Sequence, residues 1–293
     1  MARTVSDVIR VRYDTLTRAE RQLADSLLEN YPVSGLGSIT AVAENAGVST
    51  PTVARMVQKL GYKGYAEFQS HLHQELEATI SNPIAKHDRW ASNAPGTHIL
   101  NRFADAITAN LRDTLSELDT ATFEAAATLL RDRDRSIYFV GGRITGSLAE
   151  YFFTHMQVIR PKTTLLSNNS SAWPQHVLNM RSGDVLVIFD IRRYEQEMAT
   201  LAEAAVAAGV VIVLFTDAWR SPVAAHARHV FEVRIEAPSA WDSSVVTLFV
   251  VEALIEAVQS ATWEETRERM SVLEQLFERS RLFRRPGRNG RAG

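Results

Sequence analysis

The chain has 293 residues, of which 45% are hydrophobic, and its net charge at pH 7 is −2. This length predicts about two domains with buried cores, and the absence of cysteine excludes disulfides, thiol catalysis and cysteine-ligated metal sites. The nearly balanced charge excludes a broad basic surface, so any contact with nucleic acid needs a localised patch.

The first 80 residues predict an all-helical domain. Thr17 stands where it can cap a helix that carries Leu23 and Leu27, and Phe68 and Leu72 recur at helical spacing further along. We therefore expect several short helices around one small apolar core.

A helix-turn-helix pattern lies within this domain, at residues 41–60. Val53 and Val57 stand four residues apart on one face of its second helix. Gly47 is placed to end the first helix, at a position where the backbone needs a positive φ angle. Such a pair of helices is typical of proteins that read DNA.

The second helix of this pattern is expected to present a polar face. Ser49 or Thr50 can cap it, and the proline that follows favours Thr50, because the residue before a proline avoids helical angles. Thr52, Arg55 and Lys59 follow the spacing i, i+3, i+7 and are expected to point outward along one line, where they can meet bases and phosphates. The candidate DNA-binding residues are Ser49, Thr50, Thr52, Arg55, Lys59 and Lys63. The pattern alone leaves open that they are solvated positions of a helical bundle.

A second domain is predicted at residues 98–282, after a polar linker at 81–97. Five apolar, β-rich runs alternate with helical patterns, at residues 137–140, 163–166, 185–189, 210–215 and 230–235. Helices are expected before them at 99–118 and 122–131, and after them at 243–282. This alternation predicts an α/β fold with a five-stranded parallel sheet and helices on both faces. Residues 283–293 form a basic, glycine-containing tail that we expect to be disordered.

The apolar runs do not suggest a membrane protein. The longest of them, such as Val245–Leu254, are interrupted and too short to span a bilayer. No apolar leader follows Met1. We therefore expect a cytoplasmic protein that does not contact membranes.

The two predicted domains together resemble the RpiR family of bacterial transcriptional regulators, which join a helix-turn-helix domain to a sugar isomerase (SIS) domain. The motifs that carry the resemblance are Leu16–Arg21, Ala46–Arg55, Leu60–Phe68, Gly183–Ile188, Thr216-Asp217 and Ser221-Pro222. The resemblance implies binding to a double-stranded DNA operator, self-association through the SIS domain as a dimer or tetramer, and a small anionic effector such as a phosphosugar.

The loops that hold the phosphosugar in this family are altered here. The family pattern Gly-x-Gly-x-Ser corresponds to Gly141, Arg143 and Thr145, and the pattern Ser-x-Ser-Gly-x-Thr corresponds to residues 190–195. Carboxylates and arginines therefore replace hydroxyls and glycine in the second loop. The candidate effector-binding residues are Arg143, Thr145, Ser170, Ser171, Asp190, Arg192, Arg193 and Glu195. An ion-pair network or a subunit contact explains the charged loop equally well.

We expect no catalytic residues, no metal site and no cofactor, because the sequence has no metal-ligand motif and no complete phosphate or dinucleotide fingerprint. The expected function is that of a ligand-responsive, DNA-binding transcriptional regulator. Two alternatives remain: a phosphosugar isomerase with an accessory helical domain, and a DNA-binding dimer that needs no ligand.

Overall fold

The computed structural model describes residues 4–29, 31–80 and 98–282, so the predicted linker at 81–97 and tail at 283–293 lie outside the described residues. The N-terminal domain is helical, as expected. Its helices are α1 (Val5–Arg12), α2 (Arg18–Glu29), α3 (Ile39–Asn45), α4 (Thr50–Lys59) and α5 (Tyr65–Ile80). Thr17 and Glu20 cap the start of α2 reciprocally, each side chain accepting the backbone N–H of the other residue.

Helices α3 and α4 form the predicted helix-turn-helix. Gly47 adopts a φ of +62° in the turn between them, which a residue with a Cβ atom disfavours. Val53 and Val57 are buried in the domain core. The expectation that Thr50 caps α4 was wrong: Ser49 is the extended N-cap residue and Thr50 already belongs to the helix. The steric bias before a proline is weak enough for packing to override it.

The C-terminal domain is the predicted α/β fold, and its five strands form one parallel sheet in the order β2-β1-β3-β4-β5. The strands are β1 (Ile137–Gly141), β2 (Thr163–Leu165), β3 (Val185–Phe189), β4 (Val211–Asp217) and β5 (His229–Val233). The helices are α6 (Ile99–Glu117), α7 (Thr120–Arg131), α8 (Gly146–Ile159), α9 (Trp173–Val177), α10 (Gln196–Ala207), α11 (Val245–Ala261) and α12 (Trp263–Ser280).

Helices cover both faces of this sheet. Phe139, Phe189 and Phe215 pack on one face against α7, α8 and α11, whereas alternate residues such as Ile188 and Leu214 pack on the other face against α10. Because both faces are buried, the strands are almost continuously apolar. The same topology brings the carboxyl ends of the strands, where ligands bind in such sheets, to one edge.

A charged contact joins the two domains. Just after β5, the Arg234 guanidinium lies 2.7 Å from the Asp7 carboxylate of α1 and 2.5 Å from Glu117 of α6. One turn along α1, Arg10 lies 2.7 Å from Glu232 of β5. Beside these pairs, the Tyr31 ring packs against the apolar clusters of both domains. The helical domain is therefore attached to the edge strand of the sheet.

In the described ranges, no single helix is long and apolar enough to cross a membrane. Helices α11 and α12 satisfy that criterion only as a pair, with a bend of 99° between them. The apolar residues Val250, Leu254 and Val258 of α11 are buried in the sheet core. This run therefore contributes to the core of the second domain.

We predict that Gly47→Ala destabilises the helical domain by about 1 kcal/mol, because a side chain disfavours the positive φ of this turn. A Cβ atom there would also lie 3.1 Å from the Gln22 amide. Gly64→Ala is the matched control, since a Cβ at Gly64 meets no atom of the described residues within 4 Å. Urea unfolding measures both, and equal stability of the two variants would contradict the role of Gly47.

Candidate functional site

The exposed face of α4 is the candidate DNA-binding surface. Arg55 is exposed in the middle of the helix, and Pro51 and Gln58 share its side at the spacing i, i+4, i+7. Ser49 is exposed at the helix start, and Lys63 is exposed in the turn after the helix. Arg55, Ser49 and Lys63 were expected on this face from the sequence. Gln58 was not expected there, and the observed orientation of α4 brings it to this face.

Two of the expected DNA-binding side chains make hydrogen bonds within the domain. Thr52 is only 6% exposed, and its hydroxyl lies 2.9 Å from the Ser49 hydroxyl. The Lys59 ammonium lies 2.9 Å from the Glu20 carboxylate and donates to the Thr15 carbonyl at 2.7 Å. The expectation that Thr52 points outward with Arg55 was therefore wrong, because its side chain is buried within the domain. The Lys59 side chain stays 36% exposed, and its contact with DNA stays a prediction.

The Lys59 pair also changes the chemistry of Glu20. Burial favours the protonated form of this carboxyl, but hydrogen bonds from Thr17 and Lys59 outweigh burial and lower the pKa of Glu20. Glu20 is thus an ionised anchor that ties the end of α4 to the start of α2.

A cavity of about 630 Å³ lies at the carboxyl ends of β1 and β3. Its walls are the β1–α8 loop, the β3–α10 loop and the segment that follows β5. It is lined by Gly142, Arg143, Ile144, Thr145, Asp190, Ile191, Arg192, Arg193, Glu195, Ile235, Ala240, Trp241, Asp242, Ser243 and Ser244. Six of the expected effector-binding residues therefore come together: Arg143, Thr145, Asp190, Arg192, Arg193 and Glu195.

Ser170 and Ser171 lie outside the cavity lining that the structure describes. They form a short turn in which the Asn169 side chain accepts from the backbone N–H and the hydroxyl of Ser171. Their expected contact with an effector has no support in this geometry, since a serine-rich turn ahead of a helix needs no ligand to form.

The Thr145 hydroxyl lines the cavity but also joins two strands. It donates to the Phe189 carbonyl at the end of β3 at 2.8 Å and accepts from the Gly142 N–H at 2.9 Å. Its single proton is therefore committed to the protein. Thr145 can still accept a hydrogen bond from a ligand, but it cannot donate one without losing the contact with Phe189.

Arg192 is held by the protein itself. Its side chain is only 7% exposed, lies 2.9 Å from the Asp242 carboxylate and 4.0 Å from Glu236, and its guanidinium stacks 4.4 Å above the Trp219 ring. Its backbone φ is +39°, in the left-handed region that side chains disfavour. The structural interpretation of the charged loop therefore holds for Arg192.

Arg193 and Arg143 differ from Arg192. Both side chains are exposed at the cavity rim, and neither has an acidic partner within the described residues. Arg193 also adopts a positive φ of 56°. Two guanidinium groups are thus available to an anion at the entrance to the cavity.

Two buried carboxylates fix the loop that carries these arginines. Asp217, at the end of β4, accepts the Arg192 N–H at 2.7 Å and the Tyr194 hydroxyl at 2.6 Å, and burial raises its pKa. Asp190 accepts a short hydrogen bond from the Ser221 hydroxyl. Burial raises the pKa of Asp190 to about 6, although the hydrogen bond from Ser221 opposes this. The loop is thereby pinned to the end of β4.

The cavity wall formed by the segment after β5 was not expected from the sequence. Trp241 is 55% exposed at the rim, and Asp242 holds Arg192, but neither residue belongs to a recognisable motif. A large aromatic side chain in a polar stretch just before a helix was the available signal. Among the residues described, no group of three histidine, aspartate or glutamate side chains is arranged to hold a metal ion.

Comparisons with known proteins identify both domains. Residues 4–79 match the sequence model of the helix-turn-helix domain of the rpiR family, and residues 129–257 match that of the SIS domain. The chain is 29% identical over 223 residues to the transcriptional regulator HexR of Pseudomonas aeruginosa, a match that covers 74% of each protein.

Solved structures share the fold. The sugar isomerase domain of an RpiR transcription factor from Sphaerobacter thermophilus has a TM-score of 0.56 at 23% identity, covering 60% of this chain and 97% of that one. The NanR protein of Vibrio vulnificus, solved in complex with ManNAc-6P, has a TM-score of 0.53 at 18% identity and covers 93% of this chain and 97% of its own. The expected fold class is thereby confirmed.

We predict that ionisation of Asp190 destabilises the fold as the pH rises from 4 to 7. The folded state holds this proton more tightly than the unfolded chain, so the free energy of unfolding falls as the pH passes through the raised pKa near 6. Asp190→Asn has no carboxyl to ionise at this position. The difference in the free energy of unfolding, variant minus parent, should therefore rise by about 2 kcal/mol between pH 4 and 7. Urea unfolding at several pH values measures it.

The control for this experiment is Glu197→Gln, which removes an exposed carboxyl close by on α10. Its stability relative to the parent should change little over the same pH range. A pH trend in Glu197→Gln as large as that in Asp190→Asn would show that Asp190 is not the source.

Proposed function

Because the chain belongs to the RpiR family, whose members join a helix-turn-helix domain to a SIS domain, we propose that its SIS domain senses a small anionic carbohydrate derivative and thereby controls operator binding. In this proposal the protein is a sequence-specific transcriptional regulator that acts as a dimer or larger assembly and catalyses no reaction. The fold shared with NanR, which was solved with ManNAc-6P, supports a carbohydrate derivative as the effector.

The observation that carries the proposal is the contact between the two domains. Ile235 lines the cavity, and the preceding residue, Arg234, is paired with Asp7 of α1 at 2.7 Å. At its other end, α1 approaches helix α4, where the Arg12 guanidinium donates to the Lys59 carbonyl. Helix α1 therefore contacts both the strand end beside the cavity and the end of α4. A ligand that moves this strand end has a direct route to the DNA-binding helix.

A second connection reaches the same helix. Arg192, in the cavity wall, stacks on Trp219. Arg220 follows Trp219 in the chain, and its guanidinium lies 2.7 Å from the Glu232 carboxylate. Glu232 is also the partner of Arg10 on α1. Both connections end on α1, which supports a regulatory relation between cavity and DNA-binding surface.

Exposed apolar side chains support self-association. Val245 and Phe249 are 51% and 42% exposed on one side of α11, and Trp263 is 46% exposed at the start of α12. A second copy of the chain would bury this surface, and a symmetric assembly would present two helix-turn-helix domains to an operator.

The isomerase alternative has less support from the geometry. Such an enzyme needs a base close to a sugar carbon. Asp217 is fully buried, Asp190 is bound to Ser221, and the Glu195 carboxylate accepts the Arg143 N–H at 3.0 Å. Each of these carboxylates already has a structural role. Turnover of a phosphosugar by the purified protein would overturn the proposal that it is not an enzyme.

The experiment that tests the proposed function is genome-wide selection of binding sites by the purified full-length protein. Recovery of a shared, specific sequence is expected, and the genes beside it would narrow the class of effector. Recovery of DNA without a common sequence would contradict the proposal.

We predict that Arg55→Ala weakens binding to the selected operator at least tenfold, because Arg55 is an exposed guanidinium in the middle of α4. Folding and oligomeric state should not change, since no core contact is lost. Arg131→Ala removes an exposed arginine of the second domain and serves as the control. Gel retardation and sedimentation measure both properties; unchanged operator affinity in Arg55→Ala would contradict the assigned surface.

We also predict that Arg234→Met loosens the helical domain and lowers the free energy of unfolding by about 3 kcal/mol, because it leaves the nearly buried Asp7 carboxylate without this cation. The double variant Asp7→Asn/Arg234→Met should recover part of this loss. Arg228→Met, at an exposed position, is the control. Chemical unfolding measures stability, and hydrogen exchange of α1 measures loosening; unchanged protection of α1 would rule out the assigned contact.

A further inference from the structure

The polar groups of the cavity are divided by charge. Its interior carries carboxylates: Asp190 is 3% exposed, and Glu195 is half-buried. Its rim carries the exposed guanidinium groups of Arg143 and Arg193, which have no acidic partner in the part of the chain that the structure describes. Ionised carboxylates only accept hydrogen bonds and guanidinium groups only donate them. A ligand that fits must therefore offer donors to the interior and an anionic acceptor to the rim.

The Glu195 carboxylate already accepts a hydrogen bond from the backbone N–H to which an anion would bind in the interior. Its Oε1 atom accepts the Arg143 N–H at 3.0 Å. A Cβ atom at Gly142 would lie only 2.7 Å from the same oxygen, so the carboxylate is seated against the loop backbone. The negative charge that this loop can hold is already supplied by the protein. A phosphate monoester, which carries about −1.5 to −2 charges at pH 7, would be repelled there.

The guanidinium groups of the rim can bind a carboxylate. A guanidinium group matches the two oxygens of a carboxylate with two parallel hydrogen bonds, and two such groups stand at the rim. The exposed ring of Trp241 lies at the same rim and offers a flat apolar surface to the body of a ligand. Ser243 and Ser244 add hydroxyl groups to the adjoining wall.

We propose that the cavity binds a sugar acid, a polyhydroxylated monocarboxylate, with its carboxylate at Arg143 and Arg193 and its hydroxyls directed towards Glu195. Glu195 is then the residue that sets specificity, because it rejects a phosphate from the interior. The inference rests on the proposed function only in taking this cavity as the effector site.

The test compares three hexoses that differ at one carbon: D-glucuronate, D-glucose 6-phosphate and D-glucose. Each is titrated calorimetrically into the full-length protein at pH 7.5. We expect glucuronate to bind at least tenfold more tightly than either glucose 6-phosphate or glucose. Arg193→Ala should remove most of this preference, because half of the cationic rim is lost.

Glu195→Gln provides the decisive variant. It removes the interior negative charge but keeps the shape of the side chain, so affinity for glucose 6-phosphate should rise at least tenfold. Glu195→Ser, which suits the N-cap position of α10, should act in the same direction and guards against a folding defect in the first variant. Glu197→Gln, outside the cavity lining on the same helix, should leave the preference of the parent protein unchanged.

Three results would overturn the inference. These are tighter binding of glucose 6-phosphate than of glucuronate by the parent protein, an unchanged preference in both Glu195 variants, and no binding by any hexuronate or aldonate in a wider panel. Operator selection uses no effector, so a protein that selects an operator but prefers phosphosugars refutes this inference alone. A protein that binds glucuronate but selects no operator refutes the proposed function.

Discussion

The cavity depends on one fully buried carboxylate, Asp217 at the end of β4. It accepts hydrogen bonds from the backbone N–H groups of Arg192 and Trp219 and from the Tyr194 hydroxyl, so a single side chain organises the two loops that follow β3 and β4. These bonds offset the left-handed backbone at Arg192 and Arg193, which would otherwise relax. The ring of Trp219 then lies beneath Arg192, while Arg193 is left at the rim. A side chain with fewer acceptor sites could not bind all three donors.

This arrangement explains how neighbouring arginines come to have different roles. Arg192 enters the interior, where Asp242 and Glu236 compensate its charge, and it becomes part of the wall. Arg193 follows in sequence, also with a positive φ, but its side chain is exposed to solvent. The sequence pattern of the loop offers no way to separate these roles, since both residues carry the same chemistry. Burial and pairing distinguish them.

Much of the fold follows from local patterns in the sequence. The central strands are recognisable because both faces of the sheet are covered, and Gly47 marks its turn because few other residues tolerate that backbone angle. Long-range pairing is what local patterns miss. The Lys59 ammonium is paired with Glu20, which lies 39 residues away. Local patterns also leave open which face of α4 is buried, and Thr52 lies on the buried face. The wall around Trp241 exists only because the segment after β5 folds back over the strand ends.

The contacts of Tyr31 with both domains constrain which segments of this protein can be exchanged for those of another. Its ring belongs to the apolar clusters of both domains, and the Glu75 carboxylate accepts its hydroxyl within the first domain. If the helix-turn-helix domain were joined to another SIS domain, the Tyr31 ring and the charged residues Asp7 and Arg10 of α1 would meet a surface that does not complement them. Recombination at the junction between the domains is therefore constrained, because a functional chimaera must keep the edge strand β5 together with the helix-turn-helix domain that contacts it.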